Sequence, residues 1–331
     1  MSMQCPKLSE LPPPPPGKTG WPWTEETERL PNTMPDGGEW PRISIVTPNY
    51  NYGQFIEETI RSVLLQGYPN LEYIVIDGGS TDDSVEIIKK YEPWLSYWVS
   101  EKDRGQANAI NKGFEQATGK IFNWINSDDI LSQKSLKSIA QEIKNADALG
   151  GQVLNFHDND NKVEVIPNNN LSSYNIVRDV KNITFQQPGL WLKTDLVKNI
   201  GGLMDNYNYC FDWDLTIKYL YLFPNINYTS MVLAQFRLHN VSKTINYVKG
   251  FDHERDLVLN NLLKDEKYYK LHHLIKLRNR KKSWNRYISE QLTIQGNKLL
   301  RSKDIIFKSF RDPQIRWTRF TMGALKRILT S

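Results

Sequence analysis

The stretch FNWINSDDI, residues 122–130, runs from apolar residues of buried-strand character into two adjacent carboxylates, Asp128 and Asp129. Neighbouring carboxylates repel each other and are costly to bury unpaired. Three uses fit the pair. One carboxylate can cap the segment that starts near Ser132, both can lie in a solvated turn, or the pair can hold a hard divalent cation beside substrate phosphates. Similar polar clusters occur at Thr47–Asn51, Asp77–Asp82 and Glu101–Gln106, each just after a short apolar run.

The elements between these clusters explain why they belong together. ISIVTP and LEYIVID are β-branched or apolar runs of strand length, and Ile56, Ile60, Val63 and Leu64 fall on one helical face. Helix DSVEIIKKYE follows the turn Gly78-Gly79-Ser80, with Asp82 before it as a cap signal. A strand near YWVSEKD, a helix carrying Ala107, Ile110, Phe114 and Ala117, and the strand IFNWINSDD continue the alternation. This spacing predicts βα units and an α/β fold with a mostly parallel, Rossmann-like sheet. Ligands of such sheets bind beyond the carboxyl ends of the strands, so all four clusters are expected on one rim.

Several alternatives are disfavoured by what the sequence carries. The loop after the first strand is TPNYNYGQF, which lacks G-x-G-x-x-G, and no G-x-x-x-x-G-K-[ST] is present. Phosphates would have to be met by a metal and side chains rather than by a glycine cradle. Two cysteines, Cys5 and Cys210, build neither a disulfide framework nor a cysteine zinc site, which fits a reducing compartment. With no signal-peptide core at MSMQCPKLSE and no long apolar run, the expectation is a cytoplasmic chain.

The run ISIVTPNYNYGQFIEETIRSVLLQGYPNLEYIVIDGGSTDDSVEII, followed by INSDD, resembles the family 2 inverting glycosyltransferases of the A-type fold, from about Pro41 to Lys243. The resemblance implies a nucleoside-diphosphate sugar donor, UDP-linked by family frequency, a Mn²⁺ or Mg²⁺ ion, and an acceptor hydroxyl. It implies that Thr47 and Asn49 lie against the nucleoside, that Asp77 contacts the base, that Asp128 lies near the ribose and that Asp129 binds the metal. GQANAINKG matches the helix facing the donor, which brings in Gln106. An arginine common in that helix is replaced here by Ile110, so Arg104 is the substitute for a diphosphate contact.

The resemblance further implies that Asp212 in CFDWDLTIKYL is the catalytic base, with Asp214 the second choice and helix capping the bland alternative. His239 in QFRLHNVSKT would complete the metal site, and Lys243 would sit in a loop closing over the donor. Gln187 in FQQPGLWLK, Trp213 and Asp214 are the acceptor-side candidates. Rival readings are a metal-dependent nucleotidyltransferase, which the absence of basic residues in TPNYNYGQF disfavours, and a non-catalytic carbohydrate-binding scaffold on a decayed transferase fold.

Charge divides the chain. Residues 266–331 hold 17 Lys/Arg against 4 Asp/Glu, a local +13 within a net charge of +5, so the remainder sums to −8. The expected organisation is a proline-rich arm over 1–41, a catalytic domain over 42–248 and a basic, mostly helical extension over 249–331. Basic helices with interleaved aromatic and aliphatic residues can lie on anionic membranes, which would suit a lipid-linked or glycan acceptor at the inner face of a membrane. No nucleic-acid-binding module accompanies them.

Overall fold

The computed structural model describes residues 5–157, 160–178, 185–240, 248–294 and 296–330. It divides into two compact units, Met1–Val258 and Leu259–Ser331. The first is built on a nine-stranded mixed sheet. Strands β1 (Ile43–Asn49), β2 (Leu71–Asp77), β3 (Tyr97–Ser100) and β4 (Ile121–Trp124) form its parallel half, in the order β3-β2-β1-β4. Helices α1 (Gly53–Leu64), α2 (Ser84–Tyr91) and α3 (Gln106–Gln116) are the crossovers.

β1 and β2 are buried along their whole length, which is why they read as unbroken apolar runs rather than alternating ones. α1 turns Ile56, Ile60, Val63 and Leu64 inward at 0–1% exposure. α3 lies so close to the sheet that a Cβ on Gly113 would come within 2.6 Å of the Val46 side chain. Only glycine permits that approach without repacking.

The second half of the sheet departs from the regular βα repeat. After the two-residue β5 (Ile130–Leu131) and α4 (Ser135–Ile143) come β6 (Ala148–His157) and β7 (Asp160–Ile166), which pair antiparallel. α5 (Ser173–Arg178), β8 (Leu190–Lys193) and α6 (Thr194–Asn199) follow, and β8 bridges β4 and β6 antiparallel to both. α7 (Phe211–Leu222) leads to β9 (Ile226–Leu238), which runs parallel to β6 and antiparallel to β5. The weakly periodic residues 162–200 thus hide short elements whose apolar residues are too few to reveal a period.

Residues 5–41 pack onto this unit. Cys5, Leu11 and Trp40 belong to its main core cluster, and Trp23 is 5% exposed. The anchor is Arg61 of α1, fully buried and, among the described residues, bonded to no carboxylate. Its guanidinium donates to the carbonyls of Pro12, Pro22 and Trp23 at 2.8, 3.1 and 3.0 Å and to the Tyr91 hydroxyl at 3.1 Å. Four acceptors solvate the buried charge, and the proline-rich segment supplies three of them.

Helix α8 (Val248–Lys264) crosses the boundary between the units. The second unit comprises α9 (Tyr269–Thr293), α10 (Lys298–Ser309), α11 (Pro313–Arg316) and α12 (Arg319–Thr330) around a core of Trp284, Ile288, Ile305, Ala324, Leu325 and Ile328. Among the described residues no helix is long and apolar enough to cross a membrane.

Candidate active site

Strand register builds the rim. Asn49 pairs with Asp77 and Asp77 with Ser100, so the last residues of β1, β2 and β3 lie side by side. Asp77 is the hub. Its oxygens accept from Asn49 Nδ2 at 2.7 Å, the Ser80 hydroxyl at 2.5 Å and the Ser100 hydroxyl at 2.6 Å, and from the backbone N–H groups of Gly79 and Ser80 at 3.1 and 2.9 Å. Burial works against ionisation of Asp77, but these donors outweigh it and hold the carboxyl below its usual range. Asp77 therefore shapes the loop after β2, and its bonds hold it buried beneath the rim.

Beside this rim lies a cavity of about 720 Å³, within the range of nucleotide-sized ligand pockets. Of the residues singled out in the sequence, Asn49, Gln106, Asp128, Gln187, Asp212 and Trp213 line it. Thr47 and Asp77 do not: both are 0% exposed, and the Thr47 hydroxyl is spent on the Tyr73 hydroxyl at 3.0 Å. Arg104 also points elsewhere, pairing with Asp205 while 76% of its side chain stays exposed. Lys243 lies outside the described residues.

The fold separates the two adjacent carboxylates. Asp128 lines the cavity and meets His239 Nε2 at 3.0 Å. Asp129 is 0% exposed, and its oxygens accept from Asn126 Nδ2 at 3.1 Å and the Arg237 backbone N–H at 3.2 Å. Burial, reinforced by the neighbouring Asp128 charge, pushes the Asp129 carboxyl well above the usual range. The tight turn at the end of β4 points successive side chains in different directions, so one carboxylate faces outward and its neighbour braces the turn.

Arg237 completes that brace. It is 4% exposed, donates to the Asp128 carbonyl at 3.0 Å, pairs with Glu58 at 2.7 Å and lies over the rings of Phe55 and Phe156. His239, two residues on, packs against Phe55 and Tyr52 with centroids 4.7 and 5.8 Å away. Its imidazole is thereby aimed at Asp128.

Among the described residues no cluster of three or more His, Cys, Asp or Glu is arranged to enclose a metal by itself. Asp128 and His239 nevertheless fit a shared site. An oxygen and a nitrogen 3.0 Å apart have the spacing of adjacent ligands on an octahedral ion with bonds of about 2.1 Å. Carboxylate plus imidazole suits Mn²⁺, and either ion commonly takes remaining ligands from phosphates and water.

The second acidic pair sits at the start of α7. Asp212 accepts from the Trp213 backbone N–H at 2.7 Å, and burial pushes its carboxyl up to about 6. Glu254 of α8 also raises it, while the Arg255 charge opposes the shift. Asp214 turns away from the cavity: it is 1% exposed and bonded to Lys218 at 2.7 Å. Two residues along the helix from Asp212, Asp214 is carried into the body of the protein.

Two further side chains keep an unused acceptor among the described residues. Gln187 donates through Nε2 to Asn123 Oδ1 at 2.7 Å and the Trp124 carbonyl at 2.9 Å, which leaves Oε1 buried without a donor. Asn49 uses Nδ2 on Asp77 and on Ser80, and its Oδ1 is likewise unfilled.

The sequence reading passed over Asn126, Lys102, Tyr209 and Arg255, all of which line the cavity. Asn126 was legible within the INSDD cluster, and Lys102 within the loop after β3. Arg255 left no local signal, since α8 reads as an ordinary polar helix beyond the expected domain boundary. Its neighbour Glu254 is 7% exposed and accepts the backbone N–H groups of Asn208, Tyr209 and Cys210 at 2.8, 2.7 and 3.0 Å. That carboxylate fixes the loop delivering Asp212.

A mixed, mostly parallel sheet flanked by helices, with ligand-facing polar clusters at the strand ends, defines an α/β fold like that of the A-type glycosyltransferases. Residues 44–201 match the family model described as glycosyl transferase family 2. The glycosyltransferase GlyG of Streptococcus pneumoniae is 33% identical over 123 residues, 36% of this chain and 41% of GlyG. Three curated relatives are matched over only 35%, 41% and 39% of their own length. In fold, the chain resembles S. aureus TarS 1-349 in complex with UDP-GlcNAc, with a TM-score of 0.60, 20% identity and 78% of each chain covered. It also resembles the mannosyltransferase PcManGT from Pyrobaculum calidifontis in complex with GDP-Man and Mn²⁺, with a TM-score of 0.56 and 17% identity over 92% of this chain and 90% of that one.

Proposed function

We propose that this chain is a metal-dependent, inverting glycosyltransferase of hexosyl type. It would move a sugar from a nucleoside-diphosphate sugar, UDP-linked by preference, to an acceptor hydroxyl in bacterial-type polysaccharide or glycolipid assembly. The observation that carries this reading is the convergence on one cavity of Asp128, held by His239, and Asp212, whose carboxyl burial pushes up to about 6. The relatives' names and their bound nucleotide sugars lend support.

Asp212 is the proposed base. A carboxylate with this raised basicity is ionised at neutral pH and better suited to take a hydroxyl proton than an ordinary aspartate. As it does so, the acceptor oxygen attacks the anomeric carbon from the face opposite the diphosphate. The bond from that carbon to the diphosphate oxygen breaks, its electron pair leaves with the diphosphate, and the anomeric configuration inverts. Lys102 and Arg255 would add positive charge for the leaving group, and Gln187 Oε1 would accept a sugar hydroxyl. Asp128 and His239 would hold Mn²⁺ or Mg²⁺, which when bound supplies Lewis-acid stabilisation of the diphosphate oxygens.

The unfilled Asn49 Oδ1 can accept an N–H from a base, whether the ring N–H of uracil, thymine or guanine or the exocyclic amine of cytosine, so the choice among nucleotides is left to direct titration. Calorimetric titration of UDP, GDP, dTDP and CMP, with and without Mn²⁺, tests the donor site. Metal-dependent binding of one diphosphate by wild type, lost in Asp128→Ala, is the expected result. If no nucleotide binds well-folded protein with metal present, the donor-site reading falls. Donor binding without transfer to any acceptor offered would instead favour the scaffold reading.

A further inference from the structure

The second unit presents an apolar surface that its own core does not use. Of the 19 large apolar side chains exposed among the described residues, 10 fall within residues 294–329. Four of these, Leu299, Leu300, Ile306 and Phe307, lie on α10, and Phe310 follows at its end. One face of this helix turns Ser302, Ile305 and Ser309 into the unit, where Ile305 joins Trp284 and Leu325 in the core. The spacing of Leu299, Ile306 and Phe310 puts them on another face, with Leu300 and Phe307 along its edge. Four of these five are 64–66% exposed and Ile306 is 38% exposed.

The same region is strongly basic. Residues 298–327 carry nine Lys/Arg against two aspartates, and both acids are already engaged. Asp304 pairs with Lys308 and accepts from Tyr287, and Asp312 pairs with Arg280 at 3.2 Å. Lys298, Lys303 and Arg311 stay exposed beside the apolar face, and Arg311 lies over the Phe307 ring.

We infer that this face is a docking surface for an anionic lipid bilayer, with α10 lying in the headgroup region and Leu299, Leu300, Phe307 and Phe310 entering the acyl boundary. Three properties select that occupant. A second copy would bring two strongly positive surfaces together. A nucleic acid would neutralise the cations but offers no apolar phase to leucine and isoleucine. A bilayer with acidic headgroups satisfies both halves of the surface at once, since anionic lipids attract Lys and Arg and the acyl chains accept the apolar side chains. The inference is independent of the proposed transfer chemistry.

The test is co-sedimentation of the full chain with vesicles of phosphatidylcholine alone, or with about one-third phosphatidylglycerol. Binding to the acidic vesicles, weak binding to neutral ones and weakening by salt are expected. The double variant Phe307→Ser/Phe310→Ser should lower the partition coefficient at least about tenfold, and Lys303→Glu/Arg311→Glu should abolish the preference for acidic lipid. All four side chains are exposed, so thermal unfolding should be unchanged in both variants. Failure of folded wild type to bind acidic vesicles at low salt overturns the inference. So does equal binding by the serine variant, or sedimentation-velocity evidence that the serine substitutions disrupt a dimer while leaving vesicle binding intact.

Discussion

Two acidic pairs in this molecule, Asp128–Asp129 at the end of β4 and Asp212–Asp214 at the start of α7, are divided by the fold in the same way. One member of each faces the cavity and the other is buried against a partner. They differ in how the buried member is satisfied. Among the described residues Asp129 accepts from neutral N–H donors, Asn126 and the Arg237 backbone, whereas Asp214 has the Lys218 ammonium. Burial accordingly raises Asp129 far, while Lys218 offsets part of the rise at Asp214. Type and proximity in sequence are thus poor guides to role. What separates cavity-facing from buried carboxylates is the direction in which a turn or a helix start aims them.

The sharpest way to break this comparison is through activity. Asp212→Asn should lower kcat by about 10²–10⁴-fold, the usual contribution of a general base, while nucleotide binding survives. Asp214→Asn should change kcat less than about tenfold and act mainly on stability, by about 2 kcal/mol, through loss of the charged Lys218 bond. A collapse of kcat in the Asp214 variant with full activity in the Asp212 variant would exchange their roles.

The adjacent pair should split in binding. Asp128→Ala should lose metal-dependent nucleotide affinity by at least about tenfold. Asp129→Asn, whose amide can keep one of the two acceptor contacts, should retain affinity and lose stability instead. Comparing the two by calorimetry and thermal unfolding sharpens the assignment, and equal loss of affinity in both would remove it.

The buried cation of the arm offers a purely structural contrast. Arg61→Ala leaves the carbonyls of Pro12, Pro22 and Trp23 without their donor and opens space in the core, so a loss of about 3 kcal/mol is expected. Chemical denaturation measures it, and limited proteolysis should find residues 5–41 newly susceptible.

The smallest effects are those of pH. Because burial raises Asp212 to about 6, kcat/KM should fall tenfold per unit as pH drops below that value, provided the carboxylate is the base. Stability runs the other way. A carboxyl raised on folding favours the fold while protonated, and that contribution is lost as pH rises through about 6. Asp212→Asn should therefore unfold at a slightly higher temperature than wild type at neutral pH, and the gap should close near pH 4.

The parallel half of the sheet was legible because β1, β2 and α1 bury continuous or periodic apolar residues, and the same pattern brought four polar clusters to one rim. The later half was not, because β5 and β8 are short and draw their pairing from strands distant in sequence. The sequence by itself determined the βα alternation, the acidic clusters and the basic C-terminal charge, all of which depend on residue type and local period. Tertiary structure alone decided that Asp128 rather than Asp129 meets the cavity, that Arg104 turns outward to Asp205, and that Arg255 enters from a helix past the expected boundary. Those outcomes depend on side-chain direction and on contacts between segments more than 40 residues apart, as in the bonds from Glu254 to the loop before Asp212. A one-dimensional pattern carries neither.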